Sequence, residues 1–99
     1  MRIITKTALL NFWNKHPEAQ RAMEAWHQAA RNCASRNYSE LKQTFSTADY
    51  VPAKYTVFDV AGNNYRVVTV IHYNTQMIYI RGVFTHAEYD RWTKENREK

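Results

Sequence analysis

The stretch KYTVFDVAGNNYRVVTVIHYNTQMIYIRGVF, residues 54–84, decides the fold. It is rich in Tyr, Val, Ile, Thr and Phe, which pack well on a pleated sheet, and is broken only at AGNN (61–64) and YNTQ (73–76). Such runs separated by short polar breaks predict three consecutive antiparallel strands joined by tight turns. Side chains alternate along a strand, so Ile78, Ile80 and Phe84 are expected on one face and Met77, Tyr79, Arg81 and Val83 on the other. On the middle strand the same alternation separates Tyr65, Val67, Thr69 and Ile71 from Arg66, Val68, Val70 and His72. Burying an unpaired arginine costs several kcal/mol, so Arg66 is expected to face outward and to share an open, partly apolar sheet face with Arg81. Two guanidiniums on such a face suit a phosphate.

Upstream, RIIT (2–5) has the β-branched content of a short strand, and Thr5 or Thr7 can cap a helix reaching Lys15 with Leu9, Leu10, Phe12 and Trp13. His16-Pro17 breaks that helix, and Pro17 suits the first turn of a second one, where its missing N–H costs nothing. There Ala19, Ala22, Met23, Trp26, Ala29, Ala30 and Cys33 follow helical spacing and form an apolar stripe, while Arg21, Glu24, Gln28 and Arg31 make a solvated opposite face. Asn37 to Ser39 closes the hairpin, and Ser39-Glu40-Leu41 begins a short helical turn to Phe45. STADYVPAK (46–54), with Pro52 and many polar residues, is expected to be irregular. The order is strand, two helices, three-stranded meander and final helix. This is an α+β domain with its N-terminal strand and helical hairpin packed on a small antiparallel sheet, one sheet face left free, and a C-terminal helix.

A chain of 99 residues has room for one domain, residues 1–99. Fourteen Lys and Arg against nine Asp and Glu give a formal charge of +5, which favours polyanionic partners. The single cysteine, Cys33, has no internal disulfide partner and no Cys/His neighbours at metal-ligand spacing, so a small core thiol in a reducing compartment is expected. MRIITKTALL is too short in its apolar run for a signal peptide, and no stretch approaches the ~20 apolar residues of a membrane span. A cytoplasmic protein with no membrane association is the expectation.

The sheet segment ends in FTHAEYD. Thr85 followed by Glu88 has the spacing of a capping box, and Phe84 with Tyr89 fits a hydrophobic staple, so a helix should start at His86. His86 alone has no architectural reason to be there. At the positive end of a helix its imidazole is either an inert surface group or a general acid or base beside the two arginines.

FDVAGNNYRVV followed by MIYIRGVFTHAEYD resembles the HigB-type branch of the RelE-like toxins of bacterial toxin–antitoxin systems. The likeness spans nearly the whole chain. Its most specific parts are the Gly62-Asn63 turn into Tyr65-Arg66-Val67, the Tyr79-Ile80-Arg81 strand and Thr85-His86-Ala87-Glu88-Tyr89-Asp90; the N-terminal helices match in pattern more than in letters. The resemblance implies a ribosome-dependent endoribonuclease that cuts messenger RNA in the decoding site and halts translation. It needs no metal or cofactor, because the 2′-hydroxyl of the RNA is the nucleophile and the protein supplies a base, an acid and cations. Carried over by position, Arg66 and Arg81 face the scissile phosphate, His86 acts as general acid or base, and Tyr89 stacks on or hydrogen-bonds the nucleotide. Lys54 is a phosphate contact at the first meander strand, and Asn63 either hydrogen-bonds RNA or serves the turn by tolerating positive φ. Some RelE-like toxins carry paired lysines on that strand, where this chain has Thr56, Phe58 and Asp59, so the identity of the base stays open.

The resemblance also implies a cognate HigA-like helix-turn-helix antitoxin, through whose complex alone operator DNA is reached, with the ribosome and messenger RNA as targets. Two alternatives share the scaffold: a toxin that poisons DNA gyrase by binding, and a non-enzymatic RNA-binding module in which His86 merely starts a helix.

Overall fold

The computed structural model describes residues 1–52 and 54–97. The chain runs β1 (Arg2–Ile4), α1 (Thr7–Lys15), a 3-10 turn (Pro17–Ala19), α2 (Gln20–Asn32), α3 (Tyr38–Thr44), β2 (Asp49–Val51), β3 (Tyr55–Val60), β4 (Tyr65–His72), β5 (Met77–Thr85) and α4 (His86–Arg97). Among the described residues the strands form one five-stranded sheet, ordered β1-β5-β4-β3-β2. It is antiparallel except that β1 runs parallel to β5. The α+β architecture and the meander expected from residues 54–84 are therefore present.

The AGNN turn sets the meander's register, pairing Val60 with Tyr65 and Asp59 with Arg66. Positive φ falls on Ala61 and Gly62 and not on Asn63, so the turn role expected for Asn63 is corrected; its side chain has another task, given below. The segment expected to be irregular instead supplies β2, whose Asp49, Tyr50 and Val51 pair with Val57, Thr56 and Tyr55. β2 is an edge strand, so Pro52 just beyond it interrupts no ladder. Val51, fully buried, holds the strand down. α1 also departs from expectation. Lys6 is its N-cap without a side-chain cap bond, while Thr5 makes the turn out of β1 at φ +72° and its carbonyl accepts from Ala8 N–H at 3.0 Å.

One sheet face is covered by the N-terminal helices. Leu9, Phe12, Met23, Trp26, Ala30, Cys33 and Leu41 pack there against Phe58, Val60, Tyr65, Val67, Ile78 and Ile80. Each large apolar side chain buried in this way contributes roughly 1.5–3 kcal/mol. Ala29, at the margin of the α2 stripe, is exposed.

The opposite face is not free, which corrects the expectation of an open sheet. α4 folds back over part of it, placing Tyr89 and Trp92 against Val51, Val57, Val68, Tyr55 and Phe84. A β-bulge also breaks the alternation on β5: Val68 pairs with Gly82 but Thr69 with Ile80, so Arg81 is the extra residue. One extra residue reverses the parity beyond it. Val83 thus joins the helix-covered core and Phe84 the α4 cluster, the reverse of strict alternation. Gly82 is needed beside the bulge, because a Cβ there would lie 2.6 Å from Phe84 Cζ and 2.7 Å from Cε2. No helix among the described residues is long and apolar enough to cross a membrane.

Candidate functional site

The capping box forms as the spacing requires. Glu88 N–H donates to Thr85 Oγ1 at 3.3 Å and Thr85 N–H donates to Glu88 Oε1 at 2.9 Å, so the strand passes into α4 without a loop. His86 N–H donates to the Asn64 carbonyl at 3.0 Å, tying the helix start to the AGNN turn. The His86 imidazole is half exposed, with Nε2 3.4 Å from Asp90 Oδ2 one helical turn on. Asp90 thereby orients the ring.

Arg66 lies on the sheet face that α4 covers, and it is buried, 8% exposed. It does face away from the N-terminal helices, but the open position expected for it is corrected. Burial is tolerated because the charge is paired: Nε lies 3.1 Å from Asp59 Oδ1 in an ion pair, Nη1 donates to the Tyr65 carbonyl at 3.1 Å, and Nη2 donates to Asn63 Oδ1. Nη1 and Nη2 each donate once inward, so each of these two nitrogens keeps one N–H uncommitted. The Tyr89 ring centroid is 5.5 Å from Arg66 Cζ. Tyr89 is itself 9% exposed and stacks with Trp92 at 5.8 Å, so its ring is already engaged and its phenol is the group left for a ligand. Behind Arg66, on the other face, the Tyr65 hydroxyl donates to Glu18 Oε1 at 3.1 Å. Burial first, and then this bond, pushes the Tyr65 phenol up; Glu18 is held below the usual carboxylate range chiefly by its own backbone N–H.

A chain of rings leads from Arg66 along α4. Trp92 meets Tyr55 edge-on at 5.0 Å, and the exposed Lys54 ammonium lies 5.4 Å over the Tyr55 ring. Tyr55 and Asp59 stand at opposite ends of β3, roughly 13 Å apart at 3.3 Å per residue, so Lys54 is not brought to Arg66. Arg81, exposed at the bulge, shares the sheet face, but its Cζ is 5.4 Å over the Tyr79 ring. Each guanidinium therefore lies over a different tyrosine. The structure gathers Arg66, Asn63, Tyr89 and the start of α4 with His86, and it sets Arg81 and Lys54 further along the same face.

Asp90 and Trp92 also border this cluster without having been read as site residues from the letters, and Asp59, named there only as a departure from the lysines of some relatives, is the ion-pair partner of Arg66. A four-residue turn at 61–64 already places Asp59 opposite Arg66, and the His86/Asp90 spacing is that of helical neighbours. Trp92 gave no comparable local signal, because its packing depends on where α4 folds back. No group of three or more His, Cys, Asp or Glu that could hold a metal ion occurs among the described residues.

A five-stranded sheet backed by an N-terminal helical pair and crossed by a C-terminal helix, with a basic and aromatic cluster where that helix leaves the sheet, is the RelE-like toxin scaffold. Residues 19–92 match the profile of the HigB toxins, the RelE-like toxic component of a toxin–antitoxin system, and the chain belongs to that family. An antitoxin partner follows from membership. The chain is 34% identical over 102 residues to the "mRNA interferase toxin HigB" of Escherichia coli, with 100% of this chain and 97% of the relative covered. The "mRNA interferase HigB" of Shigella flexneri shows the same 34% identity over 102 residues and the same coverage. A protein of that name from another Escherichia coli strain is 28% identical over 100 residues, covering 99% of this chain and 97% of its own length.

Proposed function

We propose that the chain is a ribosome-dependent endoribonuclease, the toxin of a type II pair, which cuts messenger RNA in the decoding site and stops translation. The names of its relatives support mRNA cleavage. The observation that carries the reading is the β4–β5 register, Tyr65 with Thr85 and Arg66 with Phe84, which puts Arg66 beside the start of the helix bearing His86 and Tyr89.

In this reading the substrate's 2′-hydroxyl oxygen attacks the adjacent phosphorus. The new P–O2′ bond forms as the P–O5′ bond breaks, leaving a 2′,3′-cyclic phosphate on one fragment and a 5′-hydroxyl on the other. One proton leaves O2′ and one reaches O5′, and His86, oriented by Asp90, handles one of these transfers. The charge of the phosphorane is met by Arg81 and by the two uncommitted N–H groups of Arg66. The Tyr89 phenol hydrogen-bonds the nucleotide, Lys54 holds a more distant phosphate, and Asn63 acts through the guanidinium it orients. With the nucleophile supplied by the RNA, no step calls for a metal or cofactor. A cytoplasmic location and a HigA-like helix-turn-helix antitoxin, which carries the complex to operator DNA, complete the proposal.

Primer extension on a messenger in a translation extract tests this. Discrete cuts are expected with wild-type protein only when ribosomes are present, and they should disappear with His86→Ala and with Arg66→Ala. A binding module without cleavage has one observation in its favour, the burial of Arg66 and Tyr89 beneath α4. It predicts translation arrest with intact messenger.

A further inference from the structure

α4 leaves half of the Arg66 sheet face uncovered, and that half carries a distinct set of side chains. Pairing of Val70 with Tyr79 and of His72 with Met77, together with the parallel pairing of Arg2 with Met77, brings Arg2, Val70, His72, Met77, Tyr79 and Arg81 onto it. Val70, Met77 and Tyr79 are half-buried and pack into neither apolar cluster, while Arg2, His72 and Arg81 are exposed. The His72 ring meets Tyr79 edge-on at 5.1 Å, Arg81 Cζ lies 5.4 Å over the same ring, and the Tyr79 hydroxyl donates to Met77 Sδ at 3.3 Å. Among the described residues no acidic one shares this half, so its cations have no partner of opposite charge there.

We infer that the His72, Tyr79 and Arg81 strip is a base-stacking subsite for the RNA strand next to the scissile step, with Arg2 taking a flanking phosphate and Arg81 turning to the scissile one. The inference rests on the ribonuclease reading and adds the path of the strand to it. Rings interleaved with cations on an open sheet are what a single strand requires: π faces for bases and positive charge along the backbone. Tyr79 is opposite Val70, four residues along β4 from Arg66, so the platform begins roughly 13 Å from the buried guanidinium. Arg81 is free to leave the Tyr79 ring because it is exposed and sits on a bulge. A base replaces it there while the guanidinium moves to the scissile phosphate, exchanging an exposed cation–π contact for stacking and a charge pair. Stacking tolerates any base, so the strip positions the cut rather than reading sequence.

Two readouts test the inference on the full-length chain. Binding of a fluorescent 2′-O-methyl oligonucleotide, which cannot be cut, should weaken about tenfold in Tyr79→Ala and in His72→Ala and stay near wild type in Tyr79→Phe. Primer extension should show Tyr79→Ala spreading its cuts over neighbouring phosphodiesters. Unchanged affinity and unchanged cut positions in a Tyr79→Ala protein with native circular dichroism would overturn the inference, as would a loss confined to antitoxin capture. Tyr79-dependent binding by a wild-type protein that cuts nothing would instead uphold the strip and reject the ribonuclease reading.

Discussion

Asp59→Ala removes the carboxylate that pairs with Arg66 and leaves the guanidinium beneath α4. Breaking a fully buried pair from one side costs about 3–5 kcal/mol. The cost here is smaller for two reasons: the Asp59 side chain is 27% exposed, so water can reach the vacated position, and Arg66 keeps its bonds to Tyr65 and Asn63. A loss of about 2 kcal/mol follows, between a single charged hydrogen bond and a fully buried pair. For a domain of this size that corresponds to a fall in Tm of roughly 8–16 °C. Urea unfolding followed by circular dichroism measures it, with Arg66→Met and Asp59→Ala/Arg66→Met completing a double-mutant cycle. The double variant should recover to within about 1 kcal/mol of wild type, since an apolar chain of similar length needs no counter-ion. If Asp59→Ala is neutral, or the double variant is no more stable than Asp59→Ala alone, Asp59 does not neutralise Arg66 and the account of its burial fails.

Gly82→Ala should cost about 1–3 kcal/mol by driving a methyl into the Phe84 ring and displacing that ring from the α4 cluster; a neutral urea midpoint would contradict the packing of the bulge. Thr85→Ala removes the acceptor for Glu88 N–H and should cost about 1 kcal/mol in the same assay, with weaker toxicity on induction because the helix start aiming His86 frays. Burial first, then Lys6 and Arg31, hold the His27 imidazole below its ordinary 6.5. The unfolded chain therefore takes up that proton first as pH falls, so stability should decline as pH drops below about 6.5. His27→Gln should flatten that part of the stability–pH curve, and an unchanged slope would refute the assignment.

The parts of the fold set by neighbours in sequence were readable from the letters. Alternation between two short polar breaks specifies β3, β4 and β5, and the Thr85/Glu88 spacing specifies where α4 begins. Features set by distant contacts were not. β2 owes its existence to β3 and to the buried Val51, against the local preference of a segment containing Pro52. The bulge at Arg81 leaves only a glycine as its trace, yet it decides that Phe84 and not Val83 lies under α4. The candidate site divides in the same way. The letters place Arg66 on the sheet face away from the N-terminal helices, but the return of α4 over that face is what buries the arginine beneath Tyr89 and leaves Tyr79 and Arg81 in the open.

The most direct test of the central claim uses a messenger carrying one 2′-deoxynucleotide immediately 5′ to a mapped cut, translated with wild-type toxin beside an all-ribose control. Attack by the 2′-hydroxyl predicts that the cut vanishes at the deoxy position and persists in the control. Equal cleavage of both messengers, or an intact control, would contradict the account.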